Sequence, residues 1–189
     1  MKKLIILLLL GVGISCQKPE PRGPVVKRSG QFLKKSSVRN KAIQEKQEEK
    51  ILAIIEKDSL REYHTSSNGF WYTYEKKNEK DTLKPDFGDV VYFKYDISTL
   101  EGKPIYTKKE IGYQEYKMDK EDLLSGLRLG LKLMTKGETV TFYFPSSVAY
   151  DYYGDENKIG HYIPIRSTVT VDSIKFNSNK KNNKQLFKQ

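Results

Sequence analysis

The chain has 189 residues, of which apolar types make up 37%, below the roughly 45–50% of an ordinary globular domain. One core of roughly 110 residues fits the apolar-rich middle, and the ends are too polar to add a second. Lysine and arginine number 34 against 24 acidic residues, a formal charge of +10, which suits nucleic acid, anionic lipid or an acidic protein surface. That charge is spread over helix, loops and tail without a nucleic-acid-binding motif, so a nucleic-acid partner is not expected.

Met1-Lys2-Lys3 is a short basic region ahead of the apolar run LIILLLLGVGI, Leu4 to Ile14. Its 11 residues are too few to span a bilayer and have the proportions of an export signal. Cys16 is the only cysteine, so no disulfide forms within the chain and the exported thiol needs another use. GISCQ, Gly13 to Gln17, resembles the lipobox of bacterial lipoproteins, with Gly13 where leucine is usual. The resemblance implies a signal peptide over 1–15, cleavage before Cys16, and diacylglyceryl modification and acylation of that cysteine. Several acyl chains on one residue would hold the mature protein at a membrane.

Three prolines, two glycines and many charges make 16–36 a tether rather than a packed element. A helical segment is placed at 37–62, its helical pattern running from Ser37 to Lys57. Ile43, Ile51, Leu52, Ile54 and Ile55 give it an uneven apolar stripe, so its carboxy-terminal half needs a surface from the following domain or from a partner.

The domain proper is placed at 63–176. Gly69 to Tyr74 and Asp89 to Ile97 read as strands, and Leu100 to Pro104 as a turn leading to Ile105-Tyr106. A short strand is expected near Tyr116 to Met118. From Leu123, the residues Leu123, Leu127, Leu131 and Met134 recur at the helical period. Gly126 and Gly130 lie four apart on that element, and close approach to a sheet is the reason to tolerate them. Thr139 to Phe144 reads as a strand ended by Pro145, and Ser167 to Phe176 as the last strand, with Val169 and Val171 inward. Antiparallel strands with one short helix make an α+β domain. The basic polar tail, 177–189, is expected to be disordered.

Three stretches then match one family in order. GDVVYFKYDISTLEGKPI resembles the G-x-x-V-x-V-x-Y…L-x-(D/E)-G-x-x-F stretch of the FKBP-type peptidyl-prolyl isomerases. LLSGLRLGLKLMTKG resembles their V-I-x-G-(W/L)-x-x-G-L-x-x-M-x-x-G, and FPSSVAY with HYIPIRSTVTVDSI resembles P-x-x-x-A-Y-G…I-P-x-x-(S/A)-x-L-x-F. With the lipobox, the charged helix and GFWYTYEKK, the chain is most similar to the FKBP-like lipoproteins associated with gliding motility in Bacteroidota. The resemblance implies an FKBP-like fold, a twisted antiparallel sheet wrapped on a short α-helix.

The same resemblance implies a prolyl isomerase that assists folding of exported or envelope proteins and needs no cofactor and no metal. Its partners would be proline-containing exported polypeptides, the membrane through Cys16, and an envelope or gliding complex. The domain would face the periplasm, at the outer membrane in preference to the inner. Tyr95, Leu124, Tyr150 and Ile163 fall on the catalytic positions, with Leu124 offering its backbone N–H and Tyr150 its hydroxyl to substrate carbonyls. Ile105, Tyr106, Leu123, Leu127 and Val171 fall on the pocket. The family's F-D pair is here Ile105-Tyr106, so an aromatic is aliphatic and a carboxylate is missing. Leu127 stands where many members have tryptophan, Val171 replaces a phenylalanine and Asp151 a glycine. Reduced turnover, or a binding module of chaperone type without turnover, is therefore the alternative. Tyr150, Tyr152 and Tyr153 either rim a peptide groove or pack the loop Asp151–Tyr162.

Overall fold

The computed structural model describes residues 29–177, with side chains from 34 onward. The basic region, apolar run, Cys16, most of the tether and nearly all of the tail lie outside the described residues. The chain divides into two compact units, 1–39 and 40–189. The described part of the first is the opening of helix α1, Ser29–Lys57; the second holds the rest of that helix and the whole sheet. Helix α1 starts before Ser37, in a stretch read as tether, because the last proline ahead of it is Pro24 and nothing in 29–36 blocks a helix from propagating backward. It stops at Lys57, where the helical pattern closes ahead of Asp58-Ser59. The Asp58 carboxylate accepts the Leu60 N–H at 3.3 Å and the Tyr63 hydroxyl at 2.9 Å, which turns the chain. Among the described residues no helix is long and apolar enough to cross a membrane.

The strands follow as β1 (His64–Thr65), β2 (Trp71–Lys76), β3 (Val90–Tyr95), β4 (Ile97–Ser98), β5 (Pro104–Tyr106), β6 (Gln114–Lys117), β7 (Thr139–Phe144) and β8 (Ile165–Lys175). Two short helices intervene, α2 (Lys108–Ile111) and α3 (Ser125–Leu131), and a 3₁₀ turn covers Ser146–Val148. All pairings are antiparallel, in the order β1-β2-β7-β8-β3-β6, with β4 joining β5 to β8. The expected strand Asp89–Ile97 is two, because Asp96 leaves the ladder: its carboxylate takes the Thr168 N–H at 3.0 Å. The alternation along β8 slips at a bulge, where Tyr92 faces Ser173 but Phe93 faces Val171, leaving Asp172 as the extra residue.

Strand β7 is covered on both faces. Val140, Phe142 and Phe144 join Phe70, Val91, Phe93, Val169 and the α3 residues Leu127 and Leu131 in the main core, together with Met134. Tyr143 points the other way, into a second cluster with Trp71, Leu100 and Ile51 of α1, flanked by Ile54 and Ile55. An isolated helix this charged is marginal in water. Burying large apolar side chains at roughly 1.5–3 kcal/mol each is what holds its carboxy-terminal half, and the domain itself supplies the surface.

The glycines of α3 have the steric role their spacing implied. A Cβ on Gly126 would lie 2.7 Å from the Phe144 ring and 2.8 Å from the Val148 carbonyl; one on Gly130 would lie 2.8 Å from the Phe142 ring. The helix rests on β7 at a distance only glycine permits.

Candidate active site

Four positions frame the site. Tyr95 ends β3, Leu124 precedes α3, Tyr150 follows the 3₁₀ turn, and Ile163 precedes β8. Tyr95 is half-buried and stacks on Phe93, ring centroids 5.7 Å apart and 24° between planes. Burial pushes the Tyr150 hydroxyl far above its usual range, and the charges of Tyr95, Asp155 and Tyr106 push it further. Tyr95, Asp155 and Tyr106 thus all act on the Tyr150 hydroxyl. Leu123, Leu124, Ile105, Tyr106, Tyr95 and Tyr150 all pack, partly exposed, on the main core.

The remaining expected residues sit differently. Leu127 and Val171 are wholly buried, packed within the main core. Ile163 remains 39% exposed at the edge, outside the cluster that gathers the others.

Two hydrogen-bond donors in the frame are unused. Leu124 has φ −43° and ψ 126°, outside the helix it introduces. Its carbonyl accepts the Arg128 N–H at 2.9 Å, while its own N–H finds no acceptor among the described residues. The Tyr150 hydroxyl likewise donates to nothing among the described residues, and it is not one of their buried unsatisfied atoms, so it is open to an incoming acceptor.

The wall at Ile105-Tyr106 has recovered a carboxylate from elsewhere. The Tyr106 hydroxyl donates to Asp155, whose carboxylate also accepts the Asn157 N–H at 3.0 Å and the Ile159 N–H at 2.7 Å. Burial raises the Asp155 pKa, but these hydrogen bonds outweigh it and leave the group below its usual range, ionised. Next to it, Lys158 Nζ donates to the Ile105 carbonyl at 3.2 Å and to Glu110 at 2.7 Å, and lies 4.6 Å from the centre of the Tyr106 ring. The Lys158 hydrogen bond, with those from Thr107, holds the Glu110 carboxyl down at about 2. Ile159 itself is buried in the main core. The loop 151–162 is thus fastened down over the site. Asp155, Lys158 and Ile159 escaped the sequence reading. The one local signal was Gly154-Asp155-Glu156-Asn157, the composition of an Asx turn. Farther out, Tyr152 stacks on His161 at 5.2 Å and meets Tyr153 edge-on at 5.5 Å, leaving Tyr153 77% exposed.

This arrangement can be set beside known proteins. The family model for FKBP-type peptidyl-prolyl cis-trans isomerases matches residues 81–185, more than half of the chain. The chain belongs to this family. Comparison with curated proteins returned no match. Among solved structures, the FKBP chain is similar to a peptidyl-prolyl cis-trans isomerase from Pseudomonas syringae pv. tomato, 19% identical, covering 72% of this chain and 96% of that one at TM-score 0.57. It is similar to FkpA from Escherichia coli, also 19% identical, covering 93% of this chain and 82% of that one at TM-score 0.57. The N-terminal domain of FKBP42 from Arabidopsis thaliana, 19% identical, covers 61% of this chain and 93% of its own at TM-score 0.54. At this identity the likeness to those structures concerns the fold.

Proposed function

We propose that this FKBP domain is a peptidyl-prolyl isomerase acting on proline-containing segments of exported or envelope polypeptides. Rotation about an Xaa–Pro bond crosses roughly 18–20 kcal/mol through a twisted amide that has lost its conjugation. Lowering that barrier takes no nucleophile and no proton transfer. It takes a dry cradle for the proline ring and donors placed for the carbonyls of the twisted conformer. The observation that carries the reading is the pair of unused donors, the Leu124 N–H and the Tyr150 hydroxyl, beside the partly exposed apolar surface of Leu123, Ile105 and Tyr95. In this reading Tyr150, held neutral by burial, donates to a substrate carbonyl, Leu124 receives a second carbonyl, and Tyr95 with Ile105 walls the ring. Ile163 closes the outer edge.

Acylation at Cys16 would tether the domain at the envelope, outer membrane in preference to inner. Clients would include envelope proteins, among them those of a gliding machinery. The domain limits we assign are 1–15 signal, 16–28 tether, 63–176 isomerase domain and 177–189 tail.

A second reading has an observation of its own. Ile105 in place of the aromatic, and Val171 sunk in the core, leave less surface to grip a proline ring, which suits a module that binds without turnover. A protease-coupled assay on Xaa-Pro tetrapeptides separates the two. We expect catalysis above the uncatalysed rate and a loss of about tenfold or more in kcat/KM for Tyr150→Phe, the size of one transition-state hydrogen bond. Rates at background would leave binding alone.

A further inference from the structure

We infer that Gln47 of helix α1 is a positioning residue for the candidate site, setting the two ends of the loop that carries Tyr150 and leads into Ile163. Gln47 is 6% exposed, and both polar atoms of its amide are used. Its Oε1 accepts the Ser146 N–H at 2.8 Å, and its Nε2 donates to the Tyr162 carbonyl at 2.9 Å. The orientation of the amide is set by those partners, since only the oxygen can meet an N–H and only the NH₂ a carbonyl.

Each end so held controls a site residue. The Ser146 carbonyl accepts the N–H groups of Ala149 at 2.9 Å and Asp151 at 2.8 Å, the two neighbours of Tyr150. At the other end Tyr162 adjoins Ile163, its N–H donates to the Asp151 carbonyl at 2.7 Å, and its hydroxyl donates to Asn40 of α1 at 3.1 Å. Asp151 and Tyr162 both adopt positive φ, 47° and 56°. Such a backbone is disfavoured for residues with a Cβ and persists only where surrounding bonds over-determine it. One buried glutamine, close to one hundred residues away in sequence from Ser146, bonds strained Tyr162 directly and reaches strained Asp151 through Ser146, whose carbonyl accepts the Asp151 N–H. The carboxy-terminal half of α1 is then part of the working site as well as a packed element. The effect on turnover rests on the isomerase reading; the effect on the loop does not.

The test compares purified protein with Gln47→Met, which keeps volume but loses both bonds, and Gln47→Glu, which keeps the acceptor for Ser146 and loses the donor to Tyr162. Ile51→Val, which loosens the helix packing without touching the bracket, is the control. We expect amide exchange at Asp151 and Tyr162 to speed up roughly tenfold or more in Gln47→Met, the size of the lost bonds. Gln47→Glu should fall between and Ile51→Val should leave these amides near wild type. On Xaa-Pro peptides kcat should fall by a similar factor with KM unchanged, because Tyr150 acts on the twisted state. Unchanged loop amides in both Gln47 variants, or equal loosening by Ile51→Val, would overturn the assignment. Wild-type turnover at background would instead remove the isomerase reading, and the exchange data would still decide the role of Gln47.

Discussion

The two sides of the candidate site are built by different means. The base, Leu123 to Leu131, is a local device in which helical spacing supplies the apolar face and two glycines let it press on Phe142 and Phe144. The opposite wall, from Ile105 to Glu110, has no such local logic. It is completed from the loop 151–162 by Tyr106–Asp155 and Lys158–Glu110, bonds between residues 49 and 48 apart in sequence. The base depends on close packing; the wall depends on charge and hydrogen bonds, which water and salt weaken. The base should therefore break sharply and the wall gradually.

The largest effect is expected at the base. Gly126→Val puts atoms where the Phe144 ring and the Val148 carbonyl already lie, and should lower stability by about 1–3 kcal/mol, read as a shifted denaturant midpoint at constant slope. A neutral outcome would show that the close approach is not required. On the wall, Asp155→Ala removes an ionised acceptor of three hydrogen bonds, and should cost on the order of 1–2 kcal/mol and lower kcat/KM several-fold. Tyr106→Phe, which removes one donor and leaves Asp155 its two backbone partners, should cost less than Asp155→Ala. Equal losses in these two variants would contradict the picture of a shared acceptor.

The smallest effect is the pH dependence of the outer latch. The Glu110 carboxyl, at about 2 against an ordinary 4.5, binds fewer protons folded than unfolded. Its contribution is complete above about pH 4.5 and is lost as the pH falls toward 2. Lys158 is raised from 10.5, chiefly by its bond to Glu110, so its share is complete below that pH and fades above its raised value. Protection of the 155–159 amides, relative to their intrinsic exchange rate at each pH, should be greatest between these limits and should fall with salt, since both groups are exposed.

The same contrast explains what could be read from the chain. Strand β7 fell where Thr139–Phe144 placed it, and the face of α3 and the purpose of Gly126 and Gly130 were legible, because each is a matter of period or of local steric need. The start of α1 was misplaced by the basic, glycine-containing segment after Pro24. The carboxylate that seemed lost at Tyr106 returned as Asp155, and Gln47 was one polar residue in a charged helix. Neither has a periodic signature, since a long-range hydrogen bond marks neither of its partners in sequence. Val171 is buried, as its inward position on the last strand implied.

The most direct measurement follows an Xaa-Pro peptide by NMR exchange in the presence of a small amount of protein, while recording the Leu124 amide and the Tyr150 ring. Isomerase action predicts faster cis–trans exchange at sub-stoichiometric protein, with both protein signals shifting, and loss of the acceleration in Tyr150→Phe. Shifts at Leu124 and Tyr150 with exchange at the uncatalysed rate would contradict it and leave a domain that holds proline segments without turning them.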